Sequence, residues 1–548
     1  MRRPTGTANS AVLDDQGAQP PRPRLLRTIC LIRSHGLVLI TSLALISAAG
    51  CGSSANSPAH GSEYGVGTTL TIADSTPPTS INPALSGIGV LQAWYDDLAY
   101  EPLIVQQPDG ALTPGLAVSW GYVPGTNNTE FDLTLRPGVK FSDGSPLTAS
   151  DVKNDLTYFL KTSAQADNLP GVKSIDIQGT LKIQIHTDAP ESDLPYEFDQ
   201  NEAAGWIISP DGLAKPSSLS AMTHGAGPYM LDAAATVSNS TYVYIPNPHY
   251  YDKADVRWKK VVITVDENPQ TALSALSTGQ VQVEEGEVQT VSAARSDGAA
   301  ISFAPSTMYT LYVQDASGKR TPSALGNVKV RRALEYAMNR AAMVRALYGG
   351  RYASTLEVAV APGTVGYSPS LAGYYPYDPK EAKSLLAAAG YGHGLTVSLT
   401  CSPGTGRLLL CEAAESDLQA IGVKVDMQAP PQAVWVQELL SNKYDMNLVG
   451  VPLFPVGISV LQALPSVLNG QYEYPGVSTL LSTANTEPFG SSQASSAFQK
   501  AEQRILSSAV TIPLVTADTI MYSTKGVSDV QVTSAQPVPY PLDWVPAK

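Results

Sequence analysis

The chain of 548 residues carries a formal net charge of −13, and 43% of its residues are hydrophobic. This length exceeds what one hydrophobic core usually organises, and the hydrophobic content excludes a disordered chain. The 35 basic residues against 48 acidic ones leave no basic stripe of the kind that a nucleic-acid-binding protein needs. The six histidines are scattered, so the sequence predicts no metal site and no cofactor, although folding could bring distant histidines together.

Residues 1–50 are predicted to be a signal peptide. Four arginines between residues 22 and 33 precede a short apolar run, and small residues then lead to Cys51. The apolar run is too short to span a bilayer comfortably. The segment ending in Cys51 resembles the lipobox of bacterial lipoproteins, which implies that Cys51 is lipidated and that residues 51–65 form a flexible spacer. The alternative is an unmodified secreted chain cut near Gly50.

The first elements predicted after the spacer are a strand, a helix and a hairpin. Residues 69–75 alternate like a strand, and two prolines then break the pattern. Residues 89–101 predict a helix, because apolar residues that include Trp94 and Leu98 recur at helical spacing. Residues 103–112 predict a hairpin around a Pro-Asp-Gly turn.

Residues 131–152, FDLTLRPGVKFSDGSPLTASDV, predict a compact module of strand, turn and helix start. Apolar and polar residues alternate over 131–135, as in a half-buried strand. Thr148 and Asp151 have the spacing of a capping box, which begins a helix. The module contains no base, nucleophile or set of ligands, so we interpret it as scaffold.

A glycine-rich joint, HGAGPYML at 224–231, predicts a crossing between lobes. The longest predicted helix follows at 329–350, where six apolar residues from 330 to 344 share one face and Gly349 ends the helix. Helices and strands alternate through the rest of the chain.

The cysteines beyond the predicted spacer are Cys401 and Cys411. In an oxidising compartment an isolated pair is a candidate disulfide, which here would close the loop between a predicted strand and a predicted helix. The alternative is two buried thiols, because free cysteine is often part of a core.

Six sequence motifs, taken in chain order, resemble the motifs of one protein family. The run LAVSWGYVPGTNNTEFDLTLRPGVKFSDGSPLTASDV is similar to the family signature, and GAGPYML, NPHYYDK, ALSALSTGQV, VKVRRALEYAMNR and YDPKEAKSLLAAAGY resemble its later elements, with Tyr251 where the family has Trp. On these motifs the chain resembles the large extracytoplasmic solute-binding proteins of ABC importers, in the peptide and nickel branch known as family 5.

The resemblance implies an α/β, two-lobed periplasmic-binding-protein-like fold of type II, with an extra α/β domain inserted in the first lobe. Carried over to this chain, the second lobe is 306–514, the extra domain is 96–224, and the first lobe combines 66–95, 225–305 and 515–548. Such lobes close on a ligand by a hinge motion.

Dipeptide binders of the family hold the peptide carboxylate with an Arg and the peptide amine with an Asp. Here the Arg position falls near Cys401, with Arg407 as the nearest substitute, and the Asp position falls near Phe454. A buried charged clamp discriminates strongly between ligands, whereas an apolar pocket selects by shape. The sequence therefore disfavours a zwitterionic dipeptide and favours a longer peptide held through its backbone, or a less charged solute.

Candidate residues of the ligand-binding wall lie in the first loop, on the helix behind it and in the predicted second lobe. Aromatic side chains suit a cleft because they give contact area at little entropic cost. Trp94 and Trp435 have the alternative of being core residues, since both lie at helical apolar spacing. The candidates are Ser75, Asn82, Trp94, Tyr95, Tyr309, Arg407, Trp435 and Phe454.

The function implied is that of the binding subunit of an ABC importer, a monomer held at the outer face of the bacterial cell membrane by its lipid. It would capture a peptide or peptide-like solute and deliver it to a permease and ATPase complex. An extracytoplasmic hydrolase is the first alternative, but the sequence has no G-x-S-x-G elbow and no H-E-x-x-H helix, so we expect no enzyme. A binding lipoprotein used as a receptor or signalling partner is the second.

Overall fold

A computed structural model describes residues 69–78, 80–86, 93–163, 171–314, 324–402, 404–453 and 474–547, together with Ala166, Leu169 and Ala316. All of them fall within one of two compact units, Gly61–Lys548. The predicted signal peptide and spacer, the lipidation site Cys51 and the candidate Phe454 lie outside the described residues.

The described strands number in chain order from β1 to β19. They are β1 Leu70–Asp74, β2 Ile104–Gln106, β3 Leu112–Pro114, β4 Ala117–Tyr122, β5 Glu130–Leu135, β6 Val172–Ile177, β7 Lys182–Thr187, β8 Tyr229–Leu231, β9 Thr241–Pro246, β10 Val261–Val265, β11 Val283–Gly286, β12 Ala300–Val313, β13 Ala353–Thr355, β14 Leu395–Cys401, β15 Val423–Gln428, β16 Met446–Pro452, β17 Thr511–Ser523, β18 Val527–Ser528 and β19 Val545–Pro546.

The described α-helices number in the same way. They are α1 Ala93–Asp97, α2 Ala149–Thr162, α3 Leu194–Glu197, α4 Pro210–Ala214, α5 Pro269–Ser277, α6 Val291–Ser296, α7 Val328–Ala337, α8 Arg340–Leu347, α9 Pro379–Ala388, α10 Thr405–Ala420, α11 Gln432–Leu440, α12 Val477–Asn485 and α13 Ser492–Ser508. None of these helices is both long enough and apolar enough to cross a bilayer.

One mixed sheet of 11 strands runs through the protein in the order β15-β14-β16-β12-β17-β11-β1-β10-β9-β8, with β13 added against β17. Parallel pairs lie towards both ends, β14 with β15 and β16 at one and β1 with β10 and β11 at the other. The antiparallel pair β12 and β17 lies between them. A separate sheet has the order β4-β5-β7-β6.

Two large hydrophobic cores define two lobes. The first lobe packs around residues such as Ile72 and Ile263 of the main sheet, and the separate four-stranded sheet contributes Leu133 to the same core. The second lobe packs around residues such as Leu399 and Phe498. Burial of apolar side chains in each core supplies most of the driving force for folding.

The module at 131–152 is scaffold in the structure. In β5 the apolar residues are buried and alternate with half-buried polar ones. The Asp151 carboxylate accepts hydrogen bonds from the backbone N–H and the hydroxyl of Thr148, at 2.8 and 2.6 Å, in a capping box at the start of α2. The predicted strand and cap are both confirmed.

The prediction of one long helix over 329–350 is wrong. The structure divides this segment into α7 and α8, because Met338 has an extended conformation with φ −74° and ψ 114°. Asn339 then starts a new helix, as its side chain accepts a hydrogen bond from the Ala342 N–H at 3.1 Å. Its own N–H donates to Asp417 at 2.7 Å. A good cap and a tertiary partner together outweigh the continuous apolar face.

Buried carboxyl groups of the first lobe make stability depend on pH. Burial raises the pKa of Asp96 and of Asp155 to about 8, and burial together with the adjacent Asp96 raises the pKa of Asp97. A carboxyl group with a raised pKa in the folded state adds stability below its unfolded pKa, and this stability is lost as pH rises through the folded pKa. The protein should therefore lose stability between about pH 4 and pH 8.

We expect the Tm to be at least about 5 °C higher at pH 5 than at pH 8.5, because each displaced pKa unit corresponds to about 1.4 kcal/mol. Thermal unfolding followed by circular dichroism measures the difference. The Asp96→Asn/Asp155→Asn variant should show a smaller difference, and the exposed Asp109→Asn should match the parent. An unchanged pH profile in the double variant would contradict the assignment.

Candidate functional site

The long strands β12 and β17 connect the two lobes. Met521 of β17 packs in the first core and Leu311 of β12 packs in the second. The strands pair along almost their whole length, but the register shifts twice between residues 305 and 310. Bulges bend a strand pair locally. The ribbon of β12 and β17 is therefore the joint between the lobes, with its irregular part in the middle.

Two acidic residues lie side by side at the carboxyl edge of the parallel strands in the first lobe. Asp74 ends β1 and Glu285 lies near the end of β11. These strands pair in parallel with Ala73 opposite Glu284, so Asp74 and Glu285 are the next positions of the same register. Side chains at matched positions of neighbouring strands point to the same face. Ligands of open α/β sheets bind outside this edge.

The surroundings of Asp74 keep its carboxyl group partly protonated near pH 7. Its side chain is buried, and its Oδ1 accepts a hydrogen bond from the Thr76 N–H at 3.0 Å. Burial and the neighbouring Glu285 raise the pKa of Asp74, the Thr76 N–H and the nearby Tyr95 lower it, and the resulting pKa is about 7. A cation brought to this carboxyl would favour its charged form.

Arg407 provides a positive charge on the second lobe. It lies in the first turn of α10, half-buried, and makes no hydrogen bond or ion pair with the part of the chain that the structure describes. Gly404, at φ 127°, leaves room for it, since a Cβ there would come within 2.7 Å of the Arg407 Nε. The helix dipole disfavours a cation at this end of a helix, so helix stability does not explain the residue.

Tyr309 lies within electrostatic reach of both Arg407 and Glu285. Its ring lies against Gly450 of β16, where a Cβ would come within 2.6 Å of the Tyr309 Cε1. Burial raises the pKa of Tyr309, while Arg407 lowers it and Glu285 raises it. Glu285 is exposed at the edge of the sheet, where partial desolvation and Glu287 raise its pKa and Arg407 lowers it. Arg407 is therefore within electrostatic reach of both residues, across the space between the lobes.

We call the space bordered by Asp74, Glu285, Tyr309 and Arg407 the interlobe cleft. It presents carboxyl groups on the first lobe and a guanidinium on the second. Such a cleft can hold a solute with a positive group at one end and a negative group at the other. This differs from the sequence-based expectation of a longer peptide held through its backbone or a less charged solute.

The comparison with known families decides what kind of protein has this geometry. Residues 111–455, more than half of the chain, match the family of bacterial extracellular solute-binding proteins, family 5. The chain belongs to this family.

Relatives of this solute-binding protein bind different solutes. It is 27% identical over 368 residues to the nickel-binding periplasmic protein of Escherichia coli strain K12, covering 61% of this chain and 66% of that protein. It is 29% identical over 380 residues to the glutathione-binding protein GsiB of Pectobacterium atrosepticum, covering 66% of this chain and 68% of GsiB. The chain thus spans about two thirds of the length of these relatives.

A solved structure shows the same fold. The dipeptide-binding protein of Pseudoalteromonas sp. SM9913, in complex with Met-Leu, matches with a TM-score of 0.76 at 18% identity, over 87% of this chain and 100% of that one. The binding protein therefore has the mixed α/β, two-lobed, type II fold that the sequence motifs predicted.

Two candidates of the first loop differ in their surroundings. Ser75 follows β1 and is exposed, with its Oγ 3.5 Å from the Thr76 Oγ1. Asn82 is buried, donates from Nδ2 to the Tyr158 hydroxyl at 2.9 Å and accepts from the Ala84 N–H at 3.1 Å. Ser75 is open to a ligand, whereas the Asn82 side chain shapes the loop.

Trp94 and Tyr95 lie in the first core. The Trp94 indole N–H donates to the Pro539 carbonyl at 2.9 Å, and the ring packs edge-on against Trp544 with centroids 5.7 Å apart. The Tyr95 hydroxyl donates to the Thr76 carbonyl at 3.3 Å. The core interpretation accounts for Trp94, and Tyr95 holds the loop after β1 through its bond to Thr76 and lies near enough to Asp74 to lower the pKa of that carboxyl.

Trp435 is buried in the second core, and its indole N–H has no partner among the described residues. Cys401 and Cys411 form a disulfide with an S–S distance of 2.01 Å. This bond joins the end of β14 to the second turn of α10. It therefore anchors the amino-terminal part of the helix that carries Arg407, one turn after that residue.

A second set of contacts joins the lobes away from Arg407. Asn128, in the loop between β4 and β5, donates from Nδ2 to the carbonyls of Asn485 and Glu487, at 2.8 and 3.0 Å. The Ser192 hydroxyl donates to the Asn485 Oδ1 at 3.2 Å. Asn485 ends α12 and is buried. We call these four residues the interlobe contact.

Asp74 and Glu285 were not among the predicted site residues. Asp74 lies at the end of a predicted strand, but no strand was predicted around Glu285, and the chain separation between the two residues hid their proximity. The signal that could have found them is the rule that carboxyl ends of parallel strands meet at one edge. Among the described residues no cluster of His, Cys, Asp or Glu has the arrangement of a metal site.

Proposed function

We propose that this protein captures a peptide or peptide-like solute carrying an amine and a carboxylate, and delivers it to a membrane permease and ATPase complex. The observation that carries the proposal is the charge arrangement of the cleft. Asp74 and Glu285 would face the amine, and Arg407 would pair with the carboxylate, since guanidinium and carboxylate match in a two-pronged geometry.

Comparisons with known proteins support the same class of ligand. Glutathione, named for one relative, and Met-Leu, bound in one solved structure, each carry an amine and a carboxylate. The ribbon of β12 and β17 supports capture by hinge closure. The protein acts as a monomeric binder without catalysis, outside the cytoplasm, held at the membrane through a lipid on Cys51.

The test begins with mass spectrometry of the solute that co-purifies from the native host, followed by calorimetry with that solute. Affinity for the amine should rise about fivefold from pH 6 to pH 7, because Asp74 loses its proton over this range while a peptide amine stays mostly charged. The Asp74→Asn variant should lose this pH dependence, and so should an N-acetylated solute. Failure to bind peptides, glutathione and other zwitterionic solutes alike would overturn the proposal.

A further inference from the structure

Four buried side chains form a line across the main sheet in the second lobe. Thr400 of β14 pairs with Asn447 of β16, Asn447 pairs with Tyr312 of β12, and Tyr312 pairs with Thr511 of β17. Matched residues of neighbouring strands share a face, so all four side chains point to the same side of the sheet. Each of them is at most 2% exposed.

The polar atoms of this line lack partners. The Thr400 Oγ1, the Thr511 Oγ1, and both the Oδ1 and the Nδ2 of Asn447 form no hydrogen bond with any residue that the structure describes. Ser402, just after the end of β14, is also buried with an unpartnered Oγ. Native proteins rarely leave buried polar groups unpaired, and four such atoms on one face of the sheet call for a common partner.

The neutral charge of these groups and the length of the line indicate what kind of partner they have. Its unpaired groups are neutral and include both donors and acceptors, whereas an ion would need a compensating charge. Burial raises the pKa of Tyr312, so the hydroxyl of this ionisable member of the line stays protonated and neutral. Thr400 and Thr511 lie three strand spacings apart, about 14 Å, which is too far for one small molecule to bridge. Several water molecules in a row fit both the charge and the length.

We propose that the second lobe binds a line of ordered water molecules along Thr400, Asn447 and Thr511. The line crosses the strands at the level of Thr400, near the carboxyl end of β14, and Ser402 follows directly after that strand. The inference does not depend on which solute the protein carries.

The test compares the Tm of three isosteric Thr→Val variants of the full chain. Thr400→Val and Thr511→Val should lower the Tm by about 1 °C each, a change that differential scanning calorimetry resolves, because bound water loses a partner. Thr187→Val calibrates this loss, since the buried Thr187 hydroxyl donates to the Ala189 carbonyl at 2.7 Å. In a dry line the same changes would remove unpaired hydroxyls and would raise the Tm.

A crystal structure at high resolution shows whether a lower Tm comes from the loss of a bound water or from altered packing. Ordered water within hydrogen-bonding distance of Thr400 and Asn447 in the parent, with fewer such sites in Thr400→Val, would support the proposal. An increased Tm in both line variants, or a parent structure with no water beside Asn447, would overturn it.

Discussion

Cross-linking residues 192 and 485, in the variant Ser192→Cys/Asn485→Cys, should stop the exchange of bound solute almost completely. The Ser192 hydroxyl and the Asn485 amide are 3.2 Å apart, and each belongs to a different lobe. The neighbouring Tyr196 and Phe489 rings, with centroids 4.9 Å apart, strengthen the same contact. Because solute leaves when the lobes separate, a covalent link at this position blocks release.

Exchange is measured by chasing bound labelled solute with an excess of unlabelled solute, after oxidation or treatment with a short bismaleimide. Protein loaded before the link should retain its label, and protein linked while empty should not load. Each single-cysteine variant and the reduced double variant serve as controls and should exchange like the parent. If the linked protein exchanged solute normally, the interlobe contact would not be one that separates when the cleft opens.

Replacing Arg407 with Ala should weaken solute binding by about 100-fold. A charge-assisted hydrogen bond to a carboxylate in a partly enclosed cleft contributes about 2 to 3 kcal/mol, and about 2.7 kcal/mol corresponds to this factor. Arg407→Lys keeps the charge but loses the two-pronged geometry, so an intermediate affinity is expected. Isothermal titration calorimetry with the co-purified solute measures all three proteins.

Arg345→Ala is a suitable control, since Arg345 is exposed on α8 of the same lobe. It should bind as the parent does, and thermal unfolding should show that both Ala variants are folded. Parent-like affinity in Arg407→Ala would mean that the negative group of the solute is held elsewhere. The amine side of the cleft, at Asp74, is tested separately by the pH dependence of binding.

Local patterns predicted the parts of the fold that depend on nearby residues. The strand of β5 and the cap at Thr148 follow from alternation and from one short motif, and both are confirmed. The break at Met338 was missed because the apolar face continues across it. Its cause includes the bond from Asn339 to Asp417, a tertiary contact that no local window contains.

The residues of the candidate site depend even more on tertiary contacts that local sequence patterns do not contain. Arg407 could be named from the resemblance to a family, but its electrostatic partners lie in other elements. Asp74 and Glu285 meet only because β1 and β11 pair, and Glu285 comes within reach of Arg407 only once both lobes have folded. Trp94 shows the reverse case, since helical spacing identified a buried residue and could not assign its role.

The ribbon of β12 and β17 limits what a transporter can detect. Two strands that pass through both cores should restrict the lobes to rotation about the irregular middle of the ribbon, where the register shifts. The angle between the lobes would then be the single variable that tells a permease whether a solute of any shape is bound. A permease that senses this angle needs no contact with the solute, so specificity in the cleft could diverge without any change in the docking surface.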